Sequence, residues 1–182
     1  DSEGKRLFDG FHIFQKKGTR IAAIGLADEG AFERIIGVKV KPAREALKEA
    51  LQQIKSAGGA DVVVLLSHLG LPKDKGMESG EINFIFGSHS LDALTTPLVV
   101  GKTSIVQPLP QGEQLGVFDF LGGSGGKPTH RLVDLGNEWD GDNEIGAMMK
   151  AHKEKGRQIA LTASEKAETT GASPLVNRLR AF

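Results

Sequence analysis

Long apolar runs mark three places in the first half of the chain: residues 20–26, 61–67 and 82–86. Runs of this length without polar alternation are typical of strands buried on both faces of a sheet. A weakly alternating stretch at 11–15 precedes the first run across the turn at 16–19, and this pattern predicts a β-hairpin. The second run predicts a central, fully buried strand, and the third predicts another short strand.

A helical pattern connects the first two of these runs. From Pro42 to about residue 57, apolar residues recur every three or four positions and the opposite side is Lys, Arg, Glu and Gln. Pro42 suits a first helical turn, and Gly58-Gly59 ends the pattern. A helix leading directly into a buried strand is typical of α/β proteins. We therefore predict an α/β fold in which this helix packs on one face of the sheet.

The second half of the chain predicts shorter elements. The polar, Gly- and Lys-rich segment 72–80 predicts a loop, and the glycines at 122–126 predict a turn without the Lys-Ser/Thr ending of a phosphate-binding loop. We expect further strands near 97–100, 103–107, 114–121 and 130–135. A long helix is expected from 142 to about 167, followed by a linker or tail. These assignments divide the chain into a domain at 1–140 and a helix with its tail at 141–182.

Composition narrows the possible functions. Of 182 residues, 39% are hydrophobic and 25% charged, which is typical of a globular domain. Lys plus Arg equals Asp plus Glu at 23 each, and this balance argues against a nucleic-acid partner, which normally selects a basic excess. No apolar run reaches the roughly 18 residues of a membrane span. Without cysteine, the chain has no disulfide, thiolate metal site or cysteine nucleophile.

Two histidines share one predicted setting. His68 directly follows the apolar run at 61–67, and His89 closely follows the run at 82–86. The carboxyl ends of parallel strands form the edge where open α/β sheets place ligands. Imidazole at such a position can bind a transition metal through one nitrogen while the other makes an orienting hydrogen bond. His68 and His89 are therefore candidate metal ligands, the alternative being two polar loop residues.

The remaining histidines and one acidic cluster have simpler interpretations. His12 and His130 lie in strand patterns, and His152 lies on a charged helix face. The acidic segment 140–144 lacks the spacing of a twelve-residue calcium loop and suits a helix N-terminus. We expect none of these positions to bind a ligand.

Four segments resemble motifs of the 5′-nucleotidases of the calcineurin-like metallophosphoesterase superfamily. Residues 60–70 (ADVVVLLSHLG) resemble a motif of a hydrophobic run followed by Ser/Thr-His-x-Gly, and residues 82–90 (INFIFGSHS) resemble the motif that ends Gly-Gly/Ser-His-Ser. Residues 103–119 resemble the family's Thr-x-Ile-Val-Gln hairpin, and residues 18–26 resemble the strand that follows its Gly-Asn-His motif. The order and spacing of these segments fit over about residues 8–135.

This resemblance implies a fold, a reaction and a setting. The fold would be half of a four-layer α/β/β/α sandwich with a mixed sheet. Two divalent metal ions, Zn, Mn or Fe in this family, would act on a phosphate ester or nucleotide, and His68 and His89 would be metal ligands. The family also suggests a periplasmic or extracellular location.

The chain departs from the family in what it lacks. The motifs that supply the bridging aspartate, the asparagine ligand and the catalytic histidine lie upstream in the family and have no counterpart here. Leu91 stands where the family has a His or Gln ligand of the other metal, and leucine cannot bind a metal. The chain would therefore need a missing N-terminal half and be inactive alone. Two alternatives stay open: a non-catalytic interaction or structural domain that binds no metal, and a hydrolase of sulfur esters.

Overall fold

The computed structural model describes residues 7–32, 37–119, 128–136, 138–139 and 141–170. The chain divides into two compact units, residues 1–136 and 137–182. The first unit contains eight described strands and two described α-helices, and the second contains one described helix.

The first unit is built on a mixed six-stranded sheet with the strand order β1-β2-β3-β4-β6-β5. The elements are β1 (Phe11–Lys16), β2 (Thr19–Ala27), α1 (Ala43–Ser56), β3 (Val62–His68), α2 (Leu71–Asp74), β4 (Phe84–Phe86), β5 (Leu98–Val100), β6 (Thr103–Val106), β7 (Gln114–Asp119) and β8 (Thr129–Asp134). Strands β2, β3, β4 and β6 run parallel, and β1 and β5 are antiparallel edges. Strands β7 and β8 form a separate two-stranded sheet.

The main core lies between one face of the six-stranded sheet and α1. Ile24, Leu65 and Ile85 point into it from three parallel strands and are almost completely buried. The apolar side of α1 covers them with Leu47, Ala50, Leu51 and Ile54. The helical spacing of these residues is the cause of this packing, because it places all four on one side of the helix.

Arg20 of β2 forms hydrogen bonds with the C-terminal end of α1 and the turn after it. Its Nε donates to the Gly59 carbonyl at 2.7 Å and its Nη2 donates to the Ala57 carbonyl at 2.8 Å. Carbonyls at a helix C-terminus lack intrahelical donors, and a cation there is favourable. This contact holds the turn that leads into β3, the strand that carries His68.

Among the residues that the structure describes, those that cover the opposite face of the sheet lie at one end. Val62, Val64 and Phe84 are buried there, and Phe118 of β7 packs edge-on against Phe84 at a ring-centroid distance of 4.8 Å. Further along the same face, Leu66 is 52% exposed although β3 is a central strand. We call the part of this face around Leu66 the open face.

The structure confirms the predicted α/β fold with a mixed sheet. The three strands expected near 20–26, 61–67 and 82–86 lie in one sheet, and the predicted helix is α1. The prediction that 72–80 is only a loop was wrong, since α2 occupies Leu71–Asp74. Its single turn follows Gly70, whose φ of 86° redirects the chain, and has a proline in its first turn. The turn predicted at 122–126 and the tail beyond residue 170 lie outside the described residues.

The second unit is the helix α3 (Asn143–Thr170) with the residues before it. The Asp142 carboxylate accepts the Ile145 backbone N–H at 2.9 Å, so this acidic residue caps the helix. Over the part of the chain that the structure describes, no helix is long and apolar enough to cross a membrane.

Candidate metal site

Three parallel strands end at one edge of the sheet, and each is followed there by a side chain able to bind metal. Ala27 at the end of β2 pairs with His68 at the end of β3. Asp28 directly follows β2, and His89 lies in the loop after β4. The parallel order of these strands is what gathers residues so far apart in sequence.

The structure brings the two predicted histidines into contact. His89 Nδ1 lies 3.2 Å from His68 Nε2, and the rings meet edge-on with centroids 4.9 Å apart. Both side chains are solvent-accessible, and His68 lies on the same side of β3 as Leu66 because strand side chains alternate. The pair therefore stands at the end of the open face.

Hydrogen bonding assigns the tautomer of His68. The Ser88 hydroxyl donates its only proton to the Ser67 carbonyl at 2.8 Å. The 2.9 Å contact between Ser88 Oγ and His68 Nδ1 must then have the imidazole as donor. Consequently, in the neutral ring Nε2 of His68 carries a lone pair, and it accepts a hydrogen bond from His89 Nδ1–H in this structure. A lone pair at this position is the feature that a metal ligand needs.

His89 is held in an unusual backbone conformation beside a carboxylate. Its φ is 81°, a value that non-glycine residues rarely adopt and that is often found at functional sites. Its other ring nitrogen, Nε2, lies 3.9 Å from Asp28 Oδ2. Asp28 Oδ1 accepts a hydrogen bond from Lys73 Nζ at 2.9 Å. The Lys73 hydrogen bond, assisted by the Gly30 N–H, lowers the pKa of the Asp28 carboxyl below its usual range.

Asp28 was not among the residues singled out from the sequence. The available signal was its position: it directly follows a strand of the same sheet in which His68 ends β3 and His89 lies three residues after β4. Within the described ranges, no group of three or more His, Asp or Glu side chains is arranged to hold one ion. The arrangement is thus an imidazole pair with a carboxylate beside it.

The spacing of the two ring nitrogens suits a shared ion. Nitrogens bound to one zinc ion at about 2.0–2.1 Å lie about 3.2 Å apart when the N–metal–N angle is about 100°. That separation is the one found between His68 Nε2 and His89 Nδ1. Neutral imidazole is a suitable ligand for Zn, Mn or Fe, and a catalytic site needs at least three protein ligands. The residues present therefore fit a divalent ion in part, supplying two ligands.

Two separate sets of buried hydrogen bonds, together called the polar network, involve residues next to the two histidines in sequence. The Ser67 hydroxyl donates to the Asp74 carboxylate, and Asp74 is completely buried. The Gln107 amide donates to the Ser90 carbonyl, and Ser90 Oγ accepts the Leu71 N–H at 2.9 Å. Ser67 directly precedes His68 and Ser90 directly follows His89, so the network reaches the backbone of both.

Gly87 leaves the space that this network occupies. A Cβ added at Gly87 would lie 2.7 Å from Asp74 Oδ2, which is too close. A Cβ added at Gly25 would have no atom within 4 Å. We expect Gly87→Ala to lower the free energy of unfolding by about 1–3 kcal/mol because of overpacking. Gly25→Ala is the matched control and should change it by less than about 1 kcal/mol. Equal effects in chemical denaturation would contradict the close packing at Gly87.

The other three histidines lie on β1, β8 and α3. His12 is exposed on β1 and stacks with Phe14, His130 lies on β8 with its ring 6.3 Å from Phe118, and His152 is exposed on α3. Their positions agree with the simpler interpretations made from the sequence.

Comparison with known proteins finds relatives named 5′-nucleotidase and metallophosphoesterase. A 5′-nucleotidase of Vibrio cholerae is 32% identical over 153 residues, covering 64% of this chain and 28% of that protein. An uncharacterized metallophosphoesterase of Bacillus subtilis, YunD, is 31% identical over 115 residues, covering 60% of this chain and 24% of that protein. No family model matches the chain. The chain thus spans about a quarter of the length of these relatives.

The fold comparison agrees with the sequence comparison. A sulfate thiohydrolase, SoxB, from Thermus thermophilus superposes with a TM-score of 0.72 and 26% identity, covering 81% of this chain and 29% of that one. Relatives named 5′-nucleotidase and metallophosphoesterase, and structural neighbours of the 5′-nucleotidase/SoxB family, therefore match this chain over the C-terminal part of the catalytic domain.

Proposed function

We propose that this chain is the C-terminal half of a metal-dependent phosphoric-ester hydrolase domain of the 5′-nucleotidase type. In this proposal His68 and His89 bind one divalent ion, and the other ligands come from an N-terminal half. A nucleotide or similar phosphate ester is the substrate. The location is periplasmic or extracellular, a point that rests on family resemblance alone.

The observation that carries the proposal is the contact between the imidazoles. Two histidines 21 residues apart in sequence meet at 3.2 Å, one of them with a lone pair directed at the other. A divalent ion in such a site supplies Lewis acidity toward the ester and lowers the pKa of water. The chain's own residues orient the two imidazole rings. Ser88 sets the His68 tautomer, and Asp28 faces Nε2 of His89.

The open face supports a missing N-terminal half as partner. Leu66 is half exposed at the centre of a sheet, and His68 lies on the same side of the same strand. An uncovered apolar sheet face normally packs against another layer. A second sheet packed there would give the four-layer sandwich and bring its own side chains beside His68. Leu91, 76% exposed after His89, is a further apolar residue for that layer to cover.

Two alternatives remain as competing proposals. The similarity to a sulfate thiohydrolase favours sulfur esters as a second substrate class. The leucine at position 91, where the family has a ligand, favours a domain that has lost catalysis. Assays on the same preparation with a phosphate ester and a sulfur ester separate the first alternative from the proposal.

The test is hydrolysis of an aryl phosphate and of AMP with added Zn or Mn. The 182-residue chain alone should give no turnover above buffer, because two imidazoles provide fewer than the three protein ligands of a catalytic site. The chain extended by the residues that precede Asp1 in its parent protein should hydrolyse the ester. Metal-dependent turnover by the chain alone, lost in the His68→Ala, His89→Ala double variant, would contradict the need for a second half. An inactive extended protein that folds would favour the non-catalytic alternative.

A further inference from the structure

Asp74 is a buried carboxyl that forms no ion pair with any residue in the described part of the chain. Its side chain is 0% exposed, and its Oδ1 accepts the Ser67 hydroxyl proton. Its other oxygen, Oδ2, has no hydrogen-bond partner among the described residues. A buried ionised carboxylate without a partner is costly, and such groups normally take up a proton instead.

A second unpartnered oxygen lies beside it. Gln107 is 2% exposed, and its Oε1 also has no partner within the described part of the chain. The position of a Cβ on Gly87 would be 2.7 Å from Asp74 Oδ2 and 3.0 Å from Gln107 Oε1, so both oxygens border the same small space. Two buried hydrogen-bond acceptors that face each other without a donor are unfavourable. A proton on one of the two oxygens would allow a hydrogen bond between them.

A flipped Gln107 amide, with Oε1 and Nε2 exchanged, does not supply the missing donor. Its Nε2 donates to the Ser90 carbonyl, which can only accept. A rotated amide would place Oε1 against that carbonyl and lose the bond. The donor between Asp74 and Gln107 must therefore come from the carboxyl.

We propose that Asp74 is a neutral positioning residue, whose protonated Oδ2 donates to Gln107 Oε1. The resulting series of hydrogen bonds runs through Ser67, Asp74, Gln107 and Ser90. It links the residue before His68 to the residue after His89. It holds the two imidazoles at their 3.2 Å separation. The positioning role rests on the metal site proposed above, whereas the neutral state of Asp74 does not.

The electrostatic surroundings agree with a neutral carboxyl. Burial raises the pKa of Asp74, and the Ser67 hydrogen bond opposes this rise. No neighbouring charge contributes to the shift. The charged or titratable side chains next in sequence to the bonded residues are Lys73 and Lys75 beside Asp74, His68 beside Ser67 and His89 beside Ser90. Of these, Lys73 is bonded to Asp28.

The first experiment compares Asp74→Asn and Asp74→Ala by thermal unfolding of the 182-residue chain between pH 4 and pH 8. Asparagine reproduces the neutral acid, since its oxygen can accept from Ser67 and its NH₂ can donate to Gln107. A carboxyl with a raised pKa stabilises the fold at low pH, and this contribution is lost as pH rises through that pKa. The unfolding midpoint of Asp74→Asn should therefore rise relative to wild type as pH increases. Asp9→Asn, at an exposed position, should follow wild type. A midpoint that falls relative to wild type with rising pH would overturn the neutral carboxyl.

The second experiment measures zinc affinity of the same variants. Asp74→Asn should bind zinc within about twofold of wild type, and Asp74→Ala should bind about 10-fold more weakly, the loss typical for a residue that supports a ligand. Equal losses in both variants, or none in Asp74→Ala, would overturn the positioning role. A wild-type chain that binds no zinc would reject the metal site and the positioning role with it. The pH comparison would then still decide the state of Asp74.

Discussion

Replacing Leu65 with alanine is expected to lower the free energy of unfolding by about 2–5 kcal/mol, the range for a fully buried leucine. The same change at the adjacent Leu66 is expected to cost about 1 kcal/mol or less, because its side chain is already half in water. Leu65 is 0% exposed in the main core, and Leu66 is 52% exposed on the open face. The two substitutions are chemically identical and one residue apart, so each is the control for the other.

Urea denaturation of the two variants measures this difference. The slope with denaturant should stay unchanged in both, which indicates that neither alters the surface exposed on unfolding. In a protein extended at its N-terminus, Leu66→Ala should become markedly more costly, since a second layer would bury the side chain. A Leu66→Ala cost that equals that of Leu65→Ala in the chain alone would mean that the open face is already covered.

Removal of either imidazole is expected to weaken zinc binding by about 100-fold or more, equivalent to about 2.7 kcal/mol. His68→Ala and His89→Ala should have similar effects, because the ion is proposed to lie between their facing nitrogens. Ser88→Ala should cost about 10-fold, since it removes only the group that fixes the His68 ring. Competition with a chromophoric chelator measures all three affinities.

His12→Ala provides the matched control for that series. His12 is exposed on the edge strand β1 and stacks on Phe14, so its removal should leave zinc affinity unchanged. A wild-type affinity in His68→Ala, or a loss in His12→Ala equal to that in His68→Ala, would show that zinc binds elsewhere on the chain.

The sheet and its principal helix could be predicted because their signals are local. The apolar runs that became β2 and β3, and the periodicity that became α1, each depend on residues close together in sequence. The proximity of His68 and His89 also followed from a general rule, that parallel strands end at one edge. That they bind a metal ion stays a prediction.

The remaining features depend on contacts that no local pattern encodes. The exposure of Leu66 could not be predicted, because its run of apolar neighbours looks the same whether a sheet is covered on one face or two. The turn of helix α2 was hidden in a polar segment because its one buried polar residue, Asp74, is held by tertiary contacts. Asp28 was missed because a lone aspartate after a strand is common, and its neighbours Lys73 and His89 come from other loops.

The two imidazoles come from different strands, His68 from the end of β3 and His89 from the loop after β4, and this affects the stability of the fold. Because β3 and β4 must pair before the rings can meet, an ion bound between them would favour the folded chain over the unfolded one by mass action. At a free concentration 100 times its dissociation constant, the ion would add about 2.7 kcal/mol to the free energy of unfolding. The melting temperature of the chain would then depend on the metal concentration of its surroundings. The fraction of folded domain would therefore fall when metal is scarce.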